Sequence, residues 1–169
     1  IHAKTVCSRG DYKLYFSMHT DKPFQLKEKE SELPCLDFGN ETKEVEVRIA
    51  LSALGENEAR QEYAQWKNKS FAQLKKASYK EWEEKLASIN VKGGTEDDKF
   101  IFYTSLYRAC LSPVDVTSTD GRYLGTDGKI YQADGFRYYS NWSLWDTFRT
   151  KFPLLVLLEP AKMRDMATS

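Results

Sequence analysis

Asp146 and Arg149 stand three residues apart in the run Trp142-Ser143-Leu144-Trp145-Asp146-Thr147-Phe148-Arg149. On a helix that spacing makes acid and base neighbours. A carboxylate accepts hydrogen bonds from two adjacent hydroxyls, and a guanidinium one turn on can orient it. Indole rings lie flat against the apolar C–H faces of sugar rings. The run therefore suits a wall that holds a sugar. It suits equally a helix start capped by Asp146, with Trp142, Trp145 and Phe148 packed into a core. Spacing alone leaves both readings open.

Three further carboxylates precede it at seven-residue intervals: Asp120-Gly121, Asp127-Gly128 and Asp134-Gly135. Their regularity invites a calcium loop, but the alternating acidic ligands of an EF-hand are missing. Asp-Gly is also a strong hairpin signal, because the turn needs positive φ at its centre. Tyr123-Leu124 and Ile130-Tyr131 flank the middle pair as strand arms, so the turn is the preferred reading. Cys7, Cys35 and Cys110 are far apart, and His2 and His19 lie far from Cys110, which argues against a structural zinc site. Three thiols cannot all pair within one chain, and Cys110 is read as reduced and buried. The triplets at Asn40, Asn68 and Asn141 fit the glycosylation acceptor pattern, which arises often by chance.

Composition narrows the partners. Lys plus Arg equals Asp plus Glu at 25 each in 169 residues, so the chain lacks the clustered basic charge that grips nucleic acid. No apolar run reaches membrane-spanning length, residues 154–158 being the longest aliphatic stretch. The chain opens at Ile1 with no signal-peptide pattern and stops soon after Pro160, which resembles a first-turn helix proline. An internal piece of a longer protein is the expectation.

The elements that must position the run change period along the chain. Residues 12–18 and 44–51 alternate, the latter with Val45, Val47, Ile49 and Leu51 on one face, as in a sandwich strand with one buried side. Lys27-Glu28-Lys29-Glu30 reads as a solvated hairpin or loop. Ala59, Tyr63 and Trp66 then follow helical spacing, with Asn57 as a start. Ser70 with Gln73 forms a capping box, and Phe71, Leu74, Ser78, Trp82, Leu86 and Ile89 mark one face of a long helix. Gly93-Gly94 ends that segment, and Thr95 with Asp98 opens the next. Phe100, Tyr103, Tyr107 and Cys110 form its stripe, with Ile101, Phe102, Leu106 and Leu111 on other sides. Apolar around most of its circumference, residues 100–111 read as a helix buried on several sides until Pro113 stops it. Leu154, Leu155, Leu157 and Leu158 predict a deeply buried helix after the Trp-rich run.

Several of these motifs, in order and spacing, resemble the family-92 glycoside hydrolases: Phe102-Tyr103-Thr104-Ser105-Leu106-Tyr107-Arg108, Asp120-Gly121-Arg122-Tyr123, Asp127-Gly128-Lys129-Ile130, Ser143-Leu144-Trp145-Asp146-Thr147-Phe148-Arg149 and Pro153-Leu154-Leu155. One departure is Thr119, where the family often has a bulkier residue after an additional Asp. The resemblance implies an α+β chain: the end of an N-terminal antiparallel β-sandwich (residues 1–52), linking helices (53–93), and the first helices of an (α/α)6 barrel with a β-hairpin insertion (94–169). It implies part of an exo-acting, inverting α-mannosidase, α-1,2 in preference, from the periplasm, cell surface or exterior of a bacterium. Its partners would be mannose-containing glycans and the remainder of its own chain. The catalytic acid and base and the calcium ligands would all lie beyond Ser169, so none is expected among these residues and this piece alone is expected to be inactive. Within it, Asp146 matches an aspartate that contacts terminal mannose, with Trp145 and Arg149 shaping the same wall. The competing classes are a non-catalytic carbohydrate-binding module, disfavoured by the helical majority, and an interaction fragment presenting bare helices.

Overall fold

The computed structural model describes residues 2–7, 10–27, 35–141, 145 and 147–169. Five helices and four small antiparallel sheets make an α+β chain among the described residues. It divides into two compact units, Ile1–Trp66 and Lys67–Ser169.

In the first unit, β1 (His2–Cys7), β2 (Gly10–Thr20) and β5 (Val47–Ser52) form a sheet in the order β1-β2-β5. β3 (Gln25–Lys27) and β4 (Cys35–Asp37) pair separately, so Lys27 closes a strand, and residues 28–30 of the charge run lie outside the described residues. Tyr15 faces Ser52 and Thr20 faces Val47 in the β2–β5 register. Helix α1 (Glu56–Trp66) packs on both strands through Ala59, which is fully buried because its lone methyl lets the backbones approach. The Tyr63 ring stacks on His19 at 3.6 Å, which places α1 on the face carrying Ser17, His19, Arg48 and Ala50.

That placement corrects the expectation for β5. Val47, Ile49 and Leu51 do share a face, but it is the face α1 does not cover, and each is about half exposed. Val45 precedes the strand. Alternation states which residues point together; it does not state which side finds a neighbour.

In the second unit, α2 (Phe71–Leu86) and α3 (Glu96–Cys110) begin with the two capping boxes. Ser70 Oγ accepts from Gln73 N–H at 3.2 Å while Gln73 Oε1 accepts from Ser70 N–H at 2.8 Å. Thr95 and Asp98 exchange the equivalent bonds at 3.1 and 2.8 Å, and these donors hold the Asp98 carboxyl below its ordinary range. Gly93 and Gly94 both take positive φ, the conformation that reverses the chain between the helices. Tyr103 donates to the Ile89 carbonyl at 3.1 Å, and Trp82 meets Tyr107 at 4.5 Å.

Burial in α3 differs from the expectation. Leu106 is buried, but Phe100 is 73% exposed and Ile101 is largely so. Cys110 is a free, half-buried thiol whose pKa burial pushes up. The expected neighbours on several sides are not among the described residues.

The core of this unit lies later in the chain. A π-helical turn (Thr147–Lys151) leads into α4 (Phe152–Leu158) and α5 (Pro160–Thr168), the latter opened by Pro160 as expected. Leu155 and Met166 pack with Tyr139, supported by Phe152 and Met163. Of the four leucines expected to be deep, Leu155 is 2% exposed while Leu157 is 81% exposed, because seven helical residues cannot all face one core. Lys85 in the last turn of α2 pairs with Glu159 at the α4–α5 junction, and Lys162 approaches the same carboxylate at 3.3 Å.

Candidate functional site

The Trp-rich run is approached through a short ladder that the sequence reading missed. β6 (Val114–Asp115) pairs with β9 (Tyr139–Ser140). Thr117 reinforces it: its hydroxyl accepts from Tyr138 N–H at 2.7 Å, and its carbonyl accepts from Arg137 at 3.2 Å. Asp115 accepts from Thr117 N–H at 3.0 Å and pairs with Arg137. The Tyr139 backbone N–H donates to Ser169 Oγ at 2.8 Å, tying the ladder to the end of α5.

Between the two ladder strands lies the hairpin of β7 (Arg122–Leu124) and β8 (Ile130–Gln132). Asp127-Gly128 sits at its turn, as expected from the sequence. Its geometry differs in one respect: Gly128 takes positive φ, but Asp127 does not. The connection is five residues long, closed by Gly128 N–H to the Gly125 carbonyl at 3.0 Å, so only the glycine needs the left-handed conformation. Two of the three aspartates serve their own turns. Asp120 accepts from Arg122, and Asp127 from Lys129 N–H at 3.0 Å and from the Tyr131 hydroxyl at 2.8 Å. The Arg122 guanidinium holds Asp120 below the usual carboxylate range, and the Tyr131 hydroxyl does the same for Asp127. Tyr123 stacks on Tyr138 at 3.9 Å, which joins the hairpin to the ladder.

Past Ser140 the chain turns sharply at Asn141, whose φ of 64° is the one positive value at a non-glycine among the described residues. Asn tolerates this region better than most side chains, so the residue type carried a signal. The Ser112 hydroxyl donates to the Asn141 carbonyl at 2.7 Å across 29 residues, a contact no local pattern announces. Trp142, Ser143, Leu144 and Asp146 lie outside the described residues. Trp145 is 82% exposed, whereas Thr147 is 2% exposed and anchors the start of the π-helical turn. Phe148 and Arg149 both face outward, with the Arg149 guanidinium 5.7 Å from the Phe148 ring centroid.

Two of the three residues singled out in the sequence, Trp145 and Arg149, thus fall in one exposed stretch with Phe148 beside them. Trp145 and Phe148 are both largely exposed among the described residues. Apolar ring faces beside a rigid fork of donors can hold a polyol ring by its C–H face and its hydroxyl edge. π-helical turns also recur at functional sites, where the extra residue displaces a side chain from the regular helical path. A separate open groove of about 650 Å³ runs along α2 and α3, lined by Tyr79, Trp82, Tyr103 and Tyr107. It contains none of the residues of the exposed stretch.

Residues 56–169 match the model of the glycosyl hydrolase family 92 catalytic domain. The chain belongs to glycosyl hydrolase family 92. Among solved structures, the family GH92 glycosyl hydrolase ccman5 superposes with a TM-score of 0.89 at 27% identity, covering 99% of this chain and 25% of that one. The family GH92 α-mannosidase BT3965 from Bacteroides thetaiotaomicron gives 0.85 at 26% identity, over 94% of this chain and 24% of its own. The inverting mannosidase BT2199 from the same organism gives 0.73 at 22% identity, over 92% of this chain and 24% of its own, a likeness that bears on fold alone. This family-92 chain therefore spans about a quarter of the length of the structures it resembles. A comparison with curated proteins found no match. No helix among the described residues is long and apolar enough to cross a membrane.

Proposed function

We propose that this family-92 chain is part of an exo-acting α-mannosidase, α-1,2 in preference, in which Asp146, Trp145 and Arg149 contact the terminal mannose. The observation that carries the reading is the outward-facing stretch of Trp145, Phe148 and Arg149 at the head of the π-helical turn. Its location in a chain that superposes on the α-mannosidase BT3965 supports mannose as the sugar. The protein would act in the periplasm, at the cell surface or outside a bacterium.

The hydrolysis would be inverting. One carboxylic acid protonates the leaving oxygen and a second carboxylate activates water, with about 6.5–9.5 Å between them. We assign both, and the calcium ligands, to segments beyond Ser169, in an (α/α)6 barrel that this chain begins and behind a β-sandwich that it completes. On this reading residues 1–169 alone release no mannose. The described residues do not fit a calcium site: none of their acidic, His or Cys side chains group in threes, and Asp115, Asp120 and Asp127 are each engaged in their own turns.

Asp146→Asn in the full-length enzyme tests the reading. Asn keeps the shape and the capping ability but loses charge-assisted acceptance from hydroxyls, each such bond being worth roughly 1.5–3 kcal/mol. Efficiency, kcat/KM, on a terminal α-mannoside should fall about tenfold to a thousandfold with little change in Tm. Near-native efficiency would return Asp146 to the helix-cap reading, in which Asp146→Ala costs about 1 kcal/mol of stability and leaves the kinetics intact.

A further inference from the structure

Resting on the reading above of residues 1–52 as the end of a β-sandwich, we propose that the sheet face of Leu14, Phe16, Met18, Val47, Ile49 and Leu51 is one half of its core. Its cover in the full-length protein is a layer of apolar strands that precede Ile1. Neither the face nor its occupant depends on the Asp146 contact.

In the β2–β5 register Phe16 faces Leu51, Met18 faces Ile49 and Thr20 faces Val47. Directly opposed residues of an antiparallel pair point to one side, and Leu14 joins them two residues before Phe16. Helix α1 occupies the other side, where Tyr63 stacks on His19. The apolar side keeps Val47, Ile49 and Leu51 each about half exposed. Among these β2 and β5 positions Thr20 is the one polar residue, and none is charged.

That chemistry selects the occupant. A sugar needs convergent polar groups to fix its hydroxyls. This face offers a single threonine hydroxyl, which already donates to the Lys22 carbonyl at 2.7 Å. Permanent interfaces are more apolar than transient ones, and they resemble a core cut in half. Branched and aromatic side chains at two-residue spacing fit the inner face of a second sheet, packed at about 10 Å with interdigitating side chains. Position along the chain says where that sheet comes from. The catalytic-domain match begins at residue 56 and runs to 169, so β1, β2 and β5 stand ahead of it. The chain covers 25% of ccman5, a length that leaves ample chain for the missing layer.

The experiment uses the full-length protein with a diazirine analogue in place of leucine, irradiated while folded and digested for mass spectrometry. Leu51 should cross-link to residues ahead of Ile1 and give little of the water adduct that an exposed carbene forms. Ile49→Asp should lower Tm, while Ile49→Val should leave it near that of the parent. A water adduct at Leu51 as abundant as in the urea-unfolded protein would show a bare face and overturn the proposal. An Ile49→Asp protein with the parent's Tm would do the same. Cross-links to residues beyond Ser169, or to a second copy as a covalent dimer, would overturn the choice of occupant. None of these outcomes bears on the kinetics of Asp146→Asn, so the sugar contact stands or falls separately.

Discussion

Helices α2 and α3 open on side-chain caps, and α4 and α5 open without one. The first pair open on complete capping boxes, each with two reciprocal bonds between the cap and the third residue. The second pair open on proline-containing turns with no side-chain cap bond. Burial runs the other way. α2 contributes no buried side chain and α3 one, whereas Leu155 of α4 and Met166 of α5 form the core with Tyr139. Local bonds decide where a helix begins; burial decides what its presence stabilises. The two are separable within one unit of this chain, so substitutions at caps and at cores should report on different things.

The largest expected effect lies on the packed side. Leu155→Ala removes most of a buried side chain and leaves space that α5 and Tyr139 can only partly fill, a change that costs about 2–5 kcal/mol in comparable cores. Phe100→Ala deletes more atoms, but from a ring already 73% exposed, and should fall within about 0.5 kcal/mol. Urea unfolding of the two variants measures the contrast directly. Equal losses would mean that Phe100 is covered in the protein as it folds, and the comparison between the helix pairs would break.

A smaller effect belongs to the capped side. Ser70→Ala removes the hydroxyl that accepts from Gln73 N–H and should cost about 0.5–2 kcal/mol, while Ser70→Asp should cost little because a carboxylate caps equally well. If Ser70→Ala is silent while Leu155→Ala is severe, the start of α2 is held by its neighbours, and the separation of roles fails for that helix.

The same separation explains what was legible beforehand. Both capping boxes, the glycine pair at residues 93–94, the Asp127-Gly128 turn and the Pro160 start are written in a few adjacent residues, and each appears where its chemistry requires. Exposure was not legible. The apolar faces of β5 and α3 look buried in the sequence and are exposed in the structure, because a stripe reveals shared direction while cover comes from whatever packs against it. The Val114–Ser140 pairing, and Ser112 with it, depends on residues more than twenty apart and left no local trace. At the candidate site, residue type pointed to Trp145 and Arg149, and the family membership rests on motifs spread over residues 56–169. The π-helical turn that presents them has no sequence signal of comparable strength.

The smallest effect sits where the two helix pairs meet, at the Glu159 carboxylate between Lys85 and Lys162. Burial alone would raise its pKa, but the hydrogen bond and charge of Lys85, aided by Lys162, outweigh burial and leave it below the ordinary 4.5. A carboxyl whose pKa is lower folded than unfolded contributes stability that is complete above the unfolded value and lost as pH falls through the folded one. The acid arm of stability should therefore steepen below about 4.5 on account of this group. Because both partners keep some exposure, the whole contribution should be about 0.2–1 kcal/mol. Asp37, Asp98, Asp120 and Asp127 are lowered too, so a single pH curve would mix their contributions. The difference between parent and Glu159→Gln cancels them. It should be constant near neutrality and shrink once Glu159 protonates in the parent. A difference that stays constant down through pH 3 would show that Lys85 and Lys162 do not stabilise the charged form. The α4–α5 junction would then hold α2 by packing alone.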